Sequence, residues 1–197
     1  RSEVVTGVQT CALPISDLIV IETMTALYEL KAAVVASIEN TGIPVMCSMS
    51  FEENGRTFTG CSVEAFAATI EGLGVEAAGI NCSLGPDEIY LLAKKLCEVT
   101  NLPVFAKPNA GLPDPATGEY DITAADFTVM IAKYAELGVS VIGGCCSTYP
   151  GFIADLSKML DGDMDYIAKQ AIIQEDEGAE VRSEEHTSEL QSQPQIS

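Results

Sequence analysis

The chain is poor in basic residues, nearly without histidine, and free of any apolar run approaching membrane-spanning length. Ten lysines and arginines stand against 29 aspartates and glutamates, a formal net charge of −19. Repulsion from phosphates at that balance argues against nucleic acid and anionic membrane as partners. A membrane-spanning helix needs about 20 consecutive apolar residues, and none is expected here although 47% of the chain is hydrophobic. No glycine loop of the Rossmann or P-loop type occurs. Gly55, Gly60 and Gly111 lack the spacing that cradles a phosphate, so nucleotide chemistry is unsupported. No secretory signal with a basic start and an apolar centre is visible, and the seven cysteines lack the regular spacing of a disulfide framework. A reducing cytoplasm is the expected compartment.

The one histidine, His186, and one of the cysteines, Cys11, lie in unusual end segments. Residues 5–15 and 182–192 can both be encoded by a single DNA segment read on its two strands, and both look like a translated sequencing adapter. Residues 1–16 and 182–197 are therefore expected to be adapter-like and to stand outside the fold. Any chemistry must come from the residues between them.

That interior alternates short apolar runs with amphipathic stretches. The runs Leu18–Glu22, Val45–Ser50, Ala77–Asn81, Val104–Lys107 and Val139–Gly143 read as strands. Ala26–Glu39, Val63–Leu73, Asp87–Val99 and Ala124–Leu137 read as helices, with apolar residues such as Phe127, Met130, Ile131 and Tyr134 at three- and four-residue spacing. Ser62 and Thr123 stand at N-cap positions, and Gly74 and Gly138 at C-cap positions. The units repeat: Leu73-Gly74-Val75 leads to Cys82 as Leu137-Gly138-Val139 leads to Cys146. Repeating βα units predict an all-parallel α/β architecture, either a barrel or a doubly wound sheet.

Three of the cysteines fall just past strand runs, in Gly79-Ile80-Asn81-Cys82-Ser83-Leu84-Gly85-Pro86 and in Gly143-Gly144-Cys145-Cys146-Ser147-Thr148. Strand ends are where parallel α/β folds present their active-site groups. Adjacent strand residues point to opposite faces, so Cys145 and Cys146 can share a metal only if the backbone leaves extended geometry. Gly143 and Gly144 are expected to supply that freedom. Three thiolates would leave a zinc ion one open position, which is a catalytic arrangement. Buried core thiols or a redox centre are the alternatives, and spacing alone does not choose among them. Cys47, Cys61 and Cys97 read as bystanders that pack as small hydrophobes.

These two phrases, together with Pro108-Asn109-Ala110-Gly111-Leu112-Pro113, Ile21-Glu22-Thr23, Ser50-Phe51 and Gly55-Arg56-Thr57, resemble the homocysteine S-methyltransferase family. The form they are most similar to is the N-terminal module of the cobalamin-dependent methionine synthases. The resemblance covers residues 17–160. It implies a partial (β/α)8 TIM barrel made of about the last five βα units, starting near the fourth strand. It implies a methyltransferase that uses zinc, held by Cys82, Cys145 and Cys146, to activate the homocysteine thiol and yield methionine. Glu22 matches the strand-end acid that takes the substrate ammonium. Asn81 and Asn109 are further substrate-binding candidates, with satisfaction of loop backbone groups as their other role. Methylcobalamin would be the methyl donor, held by a domain outside this chain. Residues 161–181 resemble the start of the folate-binding domain that follows in such enzymes, so folate and cobalamin domains are expected partners beside homocysteine. Two other readings stay open: a thiol methyltransferase using betaine or S-methylmethionine, and a non-catalytic, misassembled fragment with unpaired strand edges. Two positions depart from the family pattern. Ala26 stands where an aspartate is usual, which weakens polar support near Glu22, and Ser147 replaces the usual glycine after the cysteine pair.

Overall fold

A computed structural model describes residues 16–118, 120 and 122–162. Residues 1–15 and 182–197, the segments expected to be adapter-like, with Cys11 and His186, lie outside the described residues, as do residues 163–181 of the expected folate-domain segment. The chain divides after Ser157 into two units, and residues 158–162 are the described part of the second.

Five βα units follow one another. They are β1 (Ile19–Met24), α1 (Leu27–Thr41), β2 (Val45–Met49), α2 (Val63–Leu73), β3 (Ala77–Asn81), α3 (Pro86–Val99), β4 (Val104–Lys107), α4 (Ala124–Ala132), β5 (Val139–Ile142) and α5 (Pro150–Leu160). The strands form one parallel sheet in the order β1-β2-β3-β4-β5. Sequential order decides between the two architectures left open by the repeats. A doubly wound sheet reverses its strand order at a switch point and carries helices on both faces. Here each crossover steps the same way, and right-handed crossovers then place every helix on one side. This is barrel winding.

Alternation along the strands separates two faces. Val45, Cys47 and Met49 on β2, Ala78 and Ile80 on β3, and Val104 and Ala106 on β4 pack with the helices in one core that includes Leu30, Phe66, Ile89 and Phe127. The residues between them, such as Ser48, Gly79, Asn81, Phe105 and Lys107, face the inside of the arc. Gly79 and Phe105 are register partners, and a Cβ on Gly79 would meet the Phe105 ring at 2.4 Å. Only glycine lets that ring fill the inner layer.

Local signals account for most of the helix ends. The Ser62 hydroxyl accepts from the Ala65 N–H, and the Thr123 hydroxyl accepts from the Asp126 N–H, so both are working N-caps. Gly74 and Gly138 close their helices in the left-handed conformation, with φ of 76° and 84°. Three details differ from the sequence expectation. The helix expected over Ala124–Leu137 tightens into a 3₁₀ turn at Lys133–Leu137, a common way to satisfy the carbonyls of a last turn. That turn carries the fully buried Tyr134, whose hydroxyl donates to the Pro86 carbonyl. β1 runs on to Met24 through a register shift between Ile21 and Met24. Helix α5 was not anticipated, although Pro150 at its start and Phe152 and Leu156 on its buried face supply the usual signals.

Candidate metal centre

Cys82 follows β3, and Cys145 and Cys146 follow β5, on the same C-terminal rim of the sheet. Among the described residues one group of histidine, cysteine or carboxylate side chains is close enough to hold a metal ion, and it is Cys82, Cys145 and Cys146. Their sulfurs all lie within 4.8 Å of one another, with Cys82 Sγ and Cys146 Sγ 3.5 Å apart. Zinc–sulfur bonds of about 2.3 Å in a tetrahedron set sulfurs about 3.8 Å apart. The donor set therefore suits zinc in both geometry and softness, and leaves one coordination position for another ligand.

The backbone of the intervening loops holds this arrangement. Cys82 N–H donates to the Lys107 carbonyl at 3.1 Å, and Cys145 N–H to the Pro108 carbonyl at 2.8 Å. Asn109, nearly buried, accepts the Cys146 N–H at its Oδ1, 3.0 Å away, while Ala110 N–H donates to the Cys146 carbonyl. Asn81 is fully buried at the centre. Its Oδ1 accepts from Thr23 N–H at 3.0 Å and from the Ser48 hydroxyl at 2.7 Å, and its Nδ2 donates to Thr23 Oγ1 at 2.7 Å and toward Cys145 Sγ at 3.6 Å. All four hydrogen-bonding positions of that amide are engaged within the protein.

Strain concentrates on the same rim. The described non-glycine residues with positive φ are Thr23 (61°), Cys82 (62°), Ser83 (65°) and Ser147 (60°). A β-branched residue in that region is a true outlier, and Thr23 is held there by both ends of the Asn81 amide. Such strain persists where surrounding contacts over-determine it, and it clusters at functional sites. The expectation for Gly143 and Gly144 needs correction, since neither takes up left-handed φ. Gly144 is required for close approach instead. A Cβ there would lie 2.4 Å from Thr148 Oγ1, whereas one on Gly143 would make ordinary contact with Lys107 Cγ at 3.4 Å. The backbone leaves extended geometry at Ser147, one residue past the pair.

The homocysteine S-methyltransferase family model matches residues 7–160. The chain belongs to the homocysteine S-methyltransferase family. Two curated relatives, the methionine synthases of Mycobacterium leprae and Mycobacterium tuberculosis, are each 35% identical to it over 150 residues. The matched region is 72% of this chain but only 12% and 13% of those enzymes, so the chain spans about an eighth of their length. The metallated crystal form of the homocysteine methyltransferase MmuM from Escherichia coli superposes with a TM-score of 0.62 at 25% identity, over 77% of this chain and 48% of that one. This membership agrees with the barrel winding of the sheet.

The remaining family-suggested residue, Glu22, lies on β1 beside the register shift, and its Oε2 pairs with Lys107 Nζ from β4. Lys107 was not singled out in the sequence, where it reads as the polar last residue of a strand. Burial pulls its pKa down, and the nearby Cys145 sulfur opposes that shift. The three bystander thiols are perturbed by burial. Cys47 is fully buried, and its pKa is pushed up to about 12 by desolvation. Burial also raises Cys61 and Cys97. These three stay protonated, which suits packing rather than metal binding. All six described cysteines are free thiols, and no described helix is long and apolar enough to cross a membrane.

Proposed function

We propose that this chain is the homocysteine-activating module of a cobalamin-dependent methionine synthase, catalysing zinc-dependent methyl transfer to the homocysteine thiol. The observation that carries this reading is the set of three rim sulfurs within 4.8 Å of one another. Cys82, Cys145 and Cys146 would hold zinc and leave one coordination position for the substrate thiol. When bound, zinc supplies the Lewis acidity that keeps an incoming thiol deprotonated at neutral pH. Asn109 and Ala110 fix the Cys146 backbone, and Asn81 donates toward Cys145, so both asparagines orient the ligand set as outer-shell partners do. This assigns them to positioning ahead of direct substrate contact. Glu22, an exposed carboxylate on the inner face, would accept the substrate ammonium.

The small share of each relative that this chain covers supports its being one module of a longer enzyme. Residues 17–160 would form the homocysteine module, and residues 161–181 the beginning of a folate-binding domain. Methylcobalamin, carried on a further domain, is the proposed methyl donor, and a cytoplasmic setting fits the free thiols. The test is zinc stoichiometry of the purified chain. We expect one zinc per chain, lost in both Cys82→Ser and Cys145→Ser. Zinc retained undiminished in both variants would overturn the ligand assignment.

A further inference from the structure

We propose that Lys107 is a substrate-binding residue that takes the α-carboxylate of the amino-acid thiol, so that Glu22 and Lys107 together read the zwitterion. This rests on the preceding assignment of the rim as a homocysteine site and adds to it the residue that recognises the other end of the substrate backbone.

The five strands contain one acidic and one basic residue, Glu22 and Lys107. They sit on β1 and β4, with β2 and β3 between them. Adjacent strands are about 4.8 Å apart, so the two residues meet only by reaching toward each other over the concave face. The Lys107 stem runs beside Gly143, where a Cβ would be in ordinary contact with its Cγ at 3.4 Å and its Cδ at 3.6 Å. Its side chain is 24% exposed against 47% for that of Glu22, so both heads open to the inside of the arc. The Cys82 N–H bonds the Lys107 carbonyl and the Cys145 N–H bonds the carbonyl of the next residue, Pro108, which places Lys107 beside both cysteines.

An α-amino acid carries an ammonium and a carboxylate on one carbon. Inserted between the two heads, it exchanges one protein ion pair for two charge-assisted contacts, with no net charge brought into the site. Homocysteine then has three bonds between its α-carbon and its sulfur to reach the rim. Two other polar side chains of the rim are already committed: the Asn81 amide is fully engaged, and Asn109 Oδ1 holds the Cys146 N–H.

The experiment is calorimetric titration of the zinc-loaded full chain with three thiols: L-homocysteine, 3-aminopropane-1-thiol, which lacks the carboxylate, and 4-mercaptobutanoate, which lacks the ammonium. The wild type is expected to prefer homocysteine to either analogue. In Lys107→Met, which keeps the apolar stem, homocysteine affinity should fall about 10- to 100-fold, to the level of 3-aminopropane-1-thiol, whose own affinity does not fall. Lys107→Arg should restore part of the preference. Zinc content of one per chain certifies that a variant is folded. The proposal is overturned if folded Lys107→Met keeps the wild-type preference for homocysteine, or weakens all three thiols alike. It is also overturned if Lys107→Met and Lys107→Gln both lose zinc, which would make Lys107 a support of the metal centre. A wild type that holds zinc yet binds none of the thiols would instead refute the homocysteine reading itself.

Discussion

Replacing Asn81 with alanine separates what holds the rim together from what merely lines it. The fully buried Ser48 hydroxyl loses its acceptor, at a cost of about 1–3 kcal/mol. Two part-buried bonds to Thr23 disappear as well, about 1 kcal/mol each. Against this, Thr23 is freed from its left-handed conformation at φ 61°, which offsets about 1–2 kcal/mol. The lost contacts win, and the metal-free chain should be destabilised by about 2–3 kcal/mol, a large share of the roughly 5–15 kcal/mol typical of a folded domain. The second effect is on the metal. Asn81 Nδ2 is the side-chain donor directed at Cys145 Sγ, and loss of an outer-shell partner typically weakens zinc about 10- to 100-fold. Ser48→Ala is the control. It removes one bond to Asn81 but leaves the amide facing the sulfur, so it should cost about 1 kcal/mol with zinc affinity nearly unchanged. Urea unfolding of the apo protein and competition for zinc with a chelator measure the two effects. If Asn81→Ala binds zinc as tightly as Ser48→Ala, the amide does not support the ligand set and the reasoning fails.

Two further predictions concern the departures from the family pattern. Ala26 is the N-cap residue of α1, with extended φ and ψ and no side-chain cap; Ala26→Asp would supply one, with Glu29 three residues on to complete a capping box, and should stabilise the fold by about 0.5–1 kcal/mol in urea titrations. Ser147 is exposed and left-handed at φ 60°, so Ser147→Gly should relieve strain and raise stability by up to about 1 kcal/mol while retaining zinc; a lower unfolding midpoint would show that the serine is not strained there.

Much of the fold was legible because its signals are local. Val63–Leu73, Ala77–Asn81 and Val104–Lys107 end where their apolar patterns end, since caps and β-branched or small residues mark those boundaries. Strand order was not legible in the same way. Repeating βα units are compatible with either winding, and only the hydrogen-bonded neighbours β1-β2-β3-β4-β5 distinguish them. The family resemblance pointed to the barrel, but periodicity by itself did not. Helix α5 escaped notice because it begins with Pro150-Gly151, a pair that reads as a turn until the apolar spacing of Phe152 and Leu156 is followed through.

The rim shows a sharper division between identity and conformation. Cysteines at strand ends could be found by reading, because parallel strands bring their C-terminal ends to one side whatever the loops do. The means of bringing them together could not. Two glycines beside two cysteines suggested left-handed freedom, yet it is Cys82, Ser83 and Ser147 that adopt it, while Gly144 makes room for Thr148. A glycine signals permission, and sequence does not say whether the permission concerns torsion or space. Here space is what matters, for a reason visible only in three dimensions. Thr148 must fold back to bond the Cys145 carbonyl through both its N–H and its hydroxyl, and this closes the turn that aims Cys146 toward Cys82. Strain at Ser147 follows from closing that turn with a residue that has a side chain. The same logic hid Lys107. A lone lysine at a strand end looks solvent-bound until the curvature of the sheet brings β1 within its reach, and curvature is a property of all five strands together rather than of any one of them.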